Sequence, residues 1–265
     1  GMMTTGGIGV GTVVLALVAW YFGIDPRTVL DASQTVQQSM PVQQHRADPS
    51  APPARDDLSI FVRKVLASTE DTWDGIFREG RSEYRRPGLV LFSDATRTAC
   101  GAGQAAMGPF YCPGDEKVYI DLTFYGELAT RFKAPGDFAQ AYVVAHEVGH
   151  HIQQLLGVHH RAAPGHENDD SVRLELQADY LAGVWAHYAR DRGLLDPGDV
   201  EEGLAAAAAI GDDRLQRQAN GYAVPDSFTH GTSAQRVRWF RKGLESGDPR
   251  ITNGGPGDTF AVPQP

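Results

Sequence analysis

The chain has 265 residues, of which 42% are hydrophobic and 22% are charged, so it can bury a sizeable core and is neither a disordered tail nor a mini-protein. Its 30 glycines and 16 prolines show no triplet period, which excludes collagen. Two cysteines are too few for a disulfide scaffold or a thiolate metal cage. A net charge of -9 leaves no basic stripe for a nucleic acid. We therefore expect no nucleic-acid partner.

The first residues of the chain have the composition of a membrane-spanning helix. Residues 1–24 carry no charged side chain, and residues 8–24 are almost wholly apolar. A spanning helix needs about 20 such residues, a length that this segment reaches with its flanking Gly and Thr. A cleaved signal peptide is the alternative, but the segment has no basic start and no clear A-x-A site, and Trp20 and Tyr21 suit a membrane interface. We therefore predict a transmembrane anchor over residues 1–30.

The rest of the chain divides by composition into a linker, a domain and a tail. Residues 31–57 are rich in Gln, Ser, Ala and Pro without periodic apolar positions, which is typical of a solvated linker. Residues 58–245 carry the periodic pattern of a folded domain, and we expect the Gly/Pro-rich tail, residues 246–265, to drape over it or fray. We expect a single-pass protein of the cytoplasmic (inner) membrane, with the domain on the extracytoplasmic, periplasmic side.

The domain contains a few predicted strands and many predicted helices. Apolar residues at helical spacing predict a first helix over 57–79. LVLFS at 89–93 and KVYID at 117–121 are predicted strands, and the Gly/Pro-rich run between them is a structured loop or hairpin. Further helices are predicted over Phe138–Leu156, Asp170–Arg190, Asp199–Ile210 and Thr232–Leu244. This pattern indicates an α+β domain that is mainly helical.

The strongest chemical signal is AHEVGHH at 145–151, which places an HExxH motif inside an apolar helical stretch. A spacing of four residues puts His146 and His150 on one helical face, where two imidazole nitrogens can bind one Zn²⁺. Glu147 lies beside them and can move a proton. Gly149 leaves room for another backbone or a substrate to approach closely. The alternative is a partly buried helix whose histidines have ordinary hydrogen-bond partners.

A third zinc ligand is expected on a neighbouring helix, because catalytic zinc sites usually combine three protein ligands with a water molecule. The segment SVRLELQADY offers Glu175 and, four residues later, Asp179. Glu175 is the predicted ligand, and Asp179 is predicted to accept the outer N–H of a ligating histidine. The alternative is an exposed acidic pair on a surface helix. If Glu175 faces away from the histidines, the third ligand must be sought among Asp179, His166 and His230.

Several long motifs together resemble the putative neutral zinc metallopeptidase family of bacteria. They are HEVGHH followed by ELQAD, the loop TRTACGAGQAAMGPFYCPGDEKVYIDLTFY, the run AIGDDRLQ and the segment VPDSFTHGTSAQRVRWF. The resemblance covers residues 58 to about 250 and the N-terminal apolar segment. It implies a zincin-like metallopeptidase domain behind a membrane anchor.

The resemblance also implies roles for particular residues, because this family is similar in its metal motifs to the gluzincin peptidases of membranes. It implies one Zn²⁺ held by His146, His150 and Glu175. Glu147 is then the general base, and Asp179 supports a ligating imidazole from outside the ligand set.

The segment from His230 to Arg236 resembles a His-Pro segment with a downstream arginine in the membrane gluzincins, although glycine replaces the proline here. The match implies that Arg236 supports the site. It also implies that His230 donates a hydrogen bond to the oxyanion of the tetrahedral intermediate, or binds the metal and silences the enzyme. The ordinary alternative is a histidine at a helix N-terminus that Thr232 or Ser233 caps.

The two cysteines, Cys100 and Cys112, lie twelve residues apart in a glycine-rich loop. Outside the cytoplasm a disulfide is expected, and a thiolate zinc pair is the alternative. Residues 118–121 are either an edge strand that receives an extended peptide or a simple core strand.

These observations predict a membrane-anchored zinc metallopeptidase that hydrolyses a peptide or protein substrate. Two other functions remain open. One is a catalytically silent, zinc-containing module that binds peptides or acts like a chaperone. The other is an amidase that acts on cell-wall fragments.

Overall fold

The structure is a computed structural model of the chain and describes residues 57–93, 95–104, 108–158, 166–263 and 265. The predicted anchor over residues 1–30 and all but the last residue of the predicted linker lie outside these ranges. Among the described residues, no helix combines the length and the apolar composition needed to cross a membrane.

The described part of the chain is an α+β domain that is mainly helical, as the sequence pattern predicts. The helices that the sequence predicts are all present, and two short helices, α2 and α6, were not predicted. The elements in chain order are α1 (Asp57–Glu79), β1 (Gly88–Phe92), β2 (Ala95–Thr98), β3 (Gly101–Gln104), β4 (Phe110–Cys112), β5 (Lys117–Asp121), α2 (Phe124–Thr130), α3 (Asp137–Leu155), α4 (Glu167–Asp191), α5 (Asp199–Ala209), α6 (Asp212–Asn220) and α7 (Ser233–Ser246), with 3₁₀ turns at Pro225–Ser227 and Thr259–Ala261.

The strands form a three-stranded sheet and a separate hairpin. In the sheet the strand order is β1-β5-β4, with β1 parallel and β4 antiparallel to the central β5. Strands β2 and β3 form the antiparallel hairpin, within the run that the sequence assigned to a loop or hairpin. The interpretation of residues 118–121 as an edge strand is therefore wrong, because β5 is paired on both sides. The edge strands of this sheet are β1 and the three-residue β4.

Helices α3 and α4 lie at the centre of the domain, and α1, α5 and α7 pack around them. Helix α3 is buried on nearly all sides, which explains why its apolar residues are not confined to one stripe. Most of the largest fully buried side chains come from these helices and from β5, and they include Trp73, Tyr119, Tyr142, Ile152, Leu181 and Phe240.

Three glycines let the central helices approach one another closely. A Cβ at Gly149 of α3 would lie 2.9 Å from the carbonyl oxygen of Ala178 on α4. A Cβ at Gly183 of α4 would lie 2.1 Å from the carbonyl oxygen of Phe240, and one at Gly243 of α7 would lie 2.0 Å from that of Tyr180. These distances are shorter than any side chain permits, so α4 is held against α3 on one side and α7 on the other.

Two features hold segments outside the central helices in place, namely a disulfide and the contacts of the C-terminal tail. Cys100 and Cys112 form a disulfide, as predicted, which joins the β2–β3 hairpin to the edge strand β4. The segment after Ser246 packs along α4 with Ile251 and Thr259 buried. The tail thus drapes over the domain, although it has little regular structure of its own.

We expect the Gly243→Ala variant to lose about 1–3 kcal/mol of unfolding free energy or more, because the added methyl group would push α7 away from α4. Gly75→Ala in the middle of α1 is the matched control, since a methyl group added there would meet no neighbouring side chain or helix within 4 Å. That control should gain about 0.5–1 kcal/mol from the higher helix propensity of alanine. Equilibrium urea denaturation measures both values, and equal stabilities would contradict the close helix contact.

Candidate metal centre

Three side chains from two packed helices converge on one point. His146 and His150 on α3 and Glu175 on α4 each offer a ligand atom, and these atoms all lie within 4.8 Å of one another. The Nε2 atom of His146 is 3.1 Å from Oε2 of Glu175, and the Nε2 atom of His150 is 3.4 Å from Oε1 of the same carboxylate. The structure therefore brings together the three residues that the spacing singled out as ligands.

The helical geometry explains this convergence. Residues four apart lie one turn from each other on the same face of α3, and the rings of His146 and His150 are 4.9 Å apart and nearly perpendicular. Gly149 lies between them in sequence and allows the backbone of Ala178 to approach, which brings Glu175 on the preceding turn of α4 within reach. The sequence left two partners open for Gly149, and the structure selects the neighbouring backbone.

The outer nitrogen of His146 is held by a buried polar network. Its Nδ1 lies 2.9 Å from Oδ1 of Asp179, which is fully buried. The guanidinium of Arg236 donates to both oxygens of Asp179 at 2.8 and 2.9 Å. The hydroxyl of Tyr142 donates to Oδ1 of Asp179 and accepts from Arg236 at 3.2 Å. Asp179 and Arg236 thus both lie on the Nδ1 side of His146, which is the side predicted for residues that support this imidazole.

Electrostatics in this network favour the charged forms of Asp179, His146 and Arg236. Burial alone would raise the pKa of Asp179, but the charge of Arg236 and the hydrogen bond of His146 outweigh it and lower that pKa. Burial would lower the pKa of His146, but hydrogen bonds to Asp179 and Glu175 outweigh it and raise the pKa to about 10. A metal that binds here must displace the proton from the inner nitrogen, because a ligating imidazole is neutral.

The outer nitrogen of His150 has a different partner. Its Nδ1 lies 2.8 Å from Oε1 of Gln153, one turn further along α3, and Gln153 is fully buried. His146 and His150 therefore both direct Nδ1 to an outer acceptor and Nε2 to Glu175. Glu175 remains a carboxylate, because the charges and hydrogen bonds of His150 and His146 outweigh burial and hold its pKa well below the usual range.

Glu147 lies between the two histidines in sequence and is 7% exposed. Burial raises the pKa of its carboxyl, and the neighbouring charges of His146 and His150 oppose that rise. A buried carboxylate with a raised pKa is a stronger base than one in water. Its side chain lines the same cavity as the three converging residues, so it can reach a molecule bound there.

The donor set fits zinc. Two imidazole nitrogens and one carboxylate oxygen form the combination found in thermolysin-type catalytic zinc sites, and outer hydrogen bonds hold both imidazoles in the orientation that zinc ligands normally have. Hard cations such as Ca²⁺ and Mg²⁺ prefer sites made of oxygen atoms alone.

His230 lies on the loop before α7 and lines the same cavity, but it is not part of the three-residue ligand cluster found among the described residues. Asp212, the first residue of α6, accepts hydrogen bonds from the backbone N–H groups of Thr229 and His230, both at 2.7 Å. The Nδ1 atom of His230 lies 3.2 Å from Oδ1 of Asp212, and this hydrogen bond raises the pKa of the imidazole. Thr232 caps α7 together with Gln235, so His230 precedes the cap.

The cavity has a volume of about 1030 Å³ and places the converging residues on one wall. Residues 108–111 and Pro113, which include most of the edge strand β4, line another part of it. Its apolar lining includes Phe124, Phe132, Val143, Ile210 and Leu215. The other residue considered as a third ligand, His166, immediately precedes α4, is exposed, and pairs only loosely with Asp169 at 3.9 Å.

Three residues of the site were not found from the sequence. Tyr142 is one turn before His146 and Gln153 is one turn after His150, so their positions on the ligand-bearing face of α3 were a signal that could have been used. Asp212 lies in the AIGDDRLQ motif, but its contact with His230 joins residues 18 positions apart through an irregular loop. Sequence spacing carries no information about such a contact.

A second group of acidic side chains, Asp137, Asp199 and Glu202, also lies close together. Asp137 and Asp199 are in the first turns of α3 and α5, and Glu202 accepts a hydrogen bond from the backbone N–H of Phe138 at 3.2 Å. Carboxylates are stabilised at helix N-termini by the unpaired N–H groups and the helix dipole. Their clustering is therefore explained by their positions in and beside the first turns of α3 and α5.

Comparison with known proteins agrees with this geometry. Residues 1–254 match the family described as "Putative neutral zinc metallopeptidase". Uncharacterized protein YpfJ of Escherichia coli K12 is 50% identical over 248 residues, which cover 91% of this chain and 84% of the relative. Uncharacterized protein Mb2605 of Mycobacterium bovis is 41% identical over 260 residues, covering 92% and 85%. No solved structure matches the chain significantly. The chain therefore belongs to the putative neutral zinc metallopeptidase family, as its motifs predicted.

Proposed function

We propose that this protein is a zinc metallopeptidase in which His146, His150 and Glu175 hold one Zn²⁺ and Glu147 is the general base. The observation that carries the proposal is the convergence of two Nε2 atoms and one carboxylate within 4.8 Å, on the wall of a cavity that Glu147 also lines. When bound, zinc supplies Lewis acidity, which lowers the pKa of a water molecule and polarises a carbonyl group.

Glu147 moves the proton in the proposed reaction. Its buried carboxylate accepts a proton from the attacking water and then gives that proton to the nitrogen of the departing amine. Burial raises the pKa of Glu147 above that of an exposed glutamate, which makes the carboxylate a better acceptor of the water proton near neutral pH. The peptide C–N bond breaks as the amine leaves, so the products are a carboxylate and an amine.

His230 and Arg236 have supporting roles in this proposal. His230 lines the cavity and donates a hydrogen bond to the oxygen that gains negative charge during the attack. Asp212 holds its Nδ1, which leaves Nε2 available to donate. Arg236 acts further away, since it holds Asp179 in the position that orients His146.

A peptide or protein is the substrate class that the cavity supports best. A volume of about 1030 Å³ is at the upper end for small-molecule sites and can accommodate several residues of an extended chain. The cavity is lined by β4, whose outer edge is unpaired within the described sheet. An extended peptide can add to such an edge through backbone hydrogen bonds.

The proposed location is the extracytoplasmic face of the cytoplasmic membrane. The anchor rests on the apolar sequence of residues 8–24. The disulfide between Cys100 and Cys112 supports the oxidising side of that membrane, because thiols are kept reduced in the cytoplasm.

Glu147→Gln should keep zinc and lose peptide hydrolysis by about 10²–10⁴-fold, since an amide cannot accept the proton of the attacking water. Digestion of a broad peptide library at neutral pH measures activity, and elemental analysis of the same preparation measures zinc. Full activity in this variant would refute the mechanism.

The same library separates the other two functions. Peptide binding by the wild-type protein without any cleavage would favour a catalytically silent module. Cleavage of purified muropeptides but not of unfolded protein would favour an amidase.

Replacing His146, His150 or Glu175 by alanine should strongly reduce the zinc content, because each removes one of three protein ligands. His166→Ala is the matched control, since that imidazole is exposed and lies outside the cluster. Elemental analysis of purified variants checks this expectation. A zinc stoichiometry that stays at the wild-type value would rule out the ligand assignment for the residue concerned.

His230→Ala should lower kcat by about 10²–10³-fold with zinc content unchanged, because it removes a donor to the developing oxyanion but no metal ligand. Asp212→Asn should lower kcat by a smaller factor, since a neutral amide holds the imidazole less firmly. Steady-state kinetics with a peptide identified in the library digest provides the measurement. An unchanged kcat in His230→Ala would remove this residue from the mechanism.

A further inference from the structure

We propose that the C-terminal segment after α7 is part of the metal centre, because it determines through two buried glutamines which nitrogen of His150 carries the proton. The inference rests on the proposed function in one respect, namely that His150 is a metal ligand. It concerns Gln153, one turn after the HExxH motif, together with Gln177 and a tail that is about 100 residues further along the chain, none of which lines the cavity.

The first step is the contact between the tail and α4. Gln177 is fully buried, and its Nε2 donates to the backbone carbonyl oxygens of Ile251 at 2.8 Å and Gly257 at 3.1 Å. A carbonyl oxygen can only accept a hydrogen bond, so the NH₂ end of this amide must face the tail. The Oε1 end of Gln177 consequently faces the opposite way, toward α3.

The second step is the contact between the two glutamines. Gln153, also fully buried, donates from Nε2 to Oε1 of Gln177 at 3.1 Å and to the carbonyl oxygen of Leu174 at 2.7 Å. Both partners are acceptors, so the NH₂ end of Gln153 is fixed in the same manner. Its Oε1 is left as an acceptor and faces Nδ1 of His150 at 2.8 Å.

The third step concerns His150 itself. An amide oxygen beside Nδ1 requires that Nδ1 carry the hydrogen, and a neutral imidazole then has its lone pair on Nε2. That nitrogen faces Glu175 at 3.4 Å. The opposite tautomer would place two acceptors against each other in a buried position, where lost hydrogen bonds are costly. The tail carbonyls therefore set the direction of every hydrogen bond up to the ligating nitrogen.

The tail is fixed well enough on α4 to play this part. Thr259 is fully buried, and its hydroxyl donates to the carbonyl oxygen of Arg173 at 2.8 Å. The guanidinium of Arg173 in turn donates to carbonyl oxygens of the tail, including that of Val262 at 2.8 Å. Tyr180 donates to the carbonyl oxygen of Asp248 at 2.6 Å. A Cβ at Gly257 would lie 2.5 Å from the ring of Tyr180, so the tail backbone lies directly against this helix.

The test measures zinc affinity of the full chain by competition with a chelator. Gln153→Met and Gln177→Met keep the length of each side chain but remove its hydrogen bonds. Gly257→Ala leaves both glutamines in place and displaces the tail carbonyl that Gln177 contacts. We expect each variant to bind zinc about 10–100-fold more weakly, which is the usual effect of losing an outer partner of a ligand. Gln154→Met is the matched control on the next residue of α3 and should bind zinc like the wild type.

A second readout separates positioning from general stability. In ¹⁵N-histidine NMR of the metal-free wild type, we expect the Nδ1 resonance of His150 to show a bound hydrogen, and this signature should be lost in Gln153→Met. The rise in Tm on adding zinc should shrink in the three relay variants, whereas a purely structural role would lower the metal-free Tm and leave that rise unchanged.

The outcomes also distinguish this inference from the proposed function. If the wild-type chain binds no zinc, the proposed function fails. If the wild type binds zinc and the three variants bind it equally tightly, the metal site stands and the inference about the tail is overturned. Weaker binding in Gln153→Met but wild-type binding in Gly257→Ala and Gln177→Met would likewise overturn the role of the tail.

Discussion

The buried ion pair between Asp179 and Arg236 is the interaction on which the arrangement of the central helices depends. Neither side chain is more than 2% exposed, and a carboxylate buried without a partner would cost about 3–5 kcal/mol. The pair joins α4 to α7, and the hydrogen bonds to Tyr142 and His146 extend it to α3. Because Gly183 and Gly243 bring α4 and α7 into backbone contact, the guanidinium reaches both oxygens of the carboxylate.

The two histidines of the candidate metal centre have outer partners of different character. His146 faces a carboxylate that a guanidinium neutralises, whereas His150 faces a neutral amide. A charged acceptor makes the imidazole more basic, and an amide mainly fixes its tautomer and orientation. The candidate site therefore combines an imidazole made more basic by a carboxylate with one whose tautomer and orientation an amide fixes. This difference follows from position, since Asp179 projects from α4 while Gln153 comes from the same helix as the ligand it supports.

Sequence reasoning succeeds here where the relevant contacts are local or involve helical repeats. The sequence predicted the family, the mainly helical α+β class and the disulfide. It also predicted the five helices with strong apolar periodicity, which are α1, α3, α4, α5 and α7. Helix α6 was missed because its sequence, DDRLQRQAN, has almost no apolar positions to reveal a period. The position of β5 in the sheet was left open between edge and core, because the three residues of its neighbour β4 are too few for alternation to be visible. Contacts that depend on tertiary packing, such as that of Gln177 with the carbonyl oxygens of Ile251 and Gly257, could not be predicted, because irregular backbone follows no pattern.

Helix α3 connects the cluster of His146, His150 and Glu175 to strand β4, which lines the same cavity. His150 faces α4, while the next residue, His151, points to the sheet side and lies 2.9 Å from the hydroxyl of Tyr111 on β4. The other nitrogen of His151 lies 2.6 Å from the carbonyl oxygen of Arg85, so this imidazole is held at both ends. Tyr111 precedes Cys112, whose disulfide with Cys100 joins β4 to the β2–β3 hairpin. Consecutive residues of α3 thus contact both the cluster around Glu175 and the strand against which an extended substrate would lie. The distance from this cluster to β4 is therefore set by a single helix.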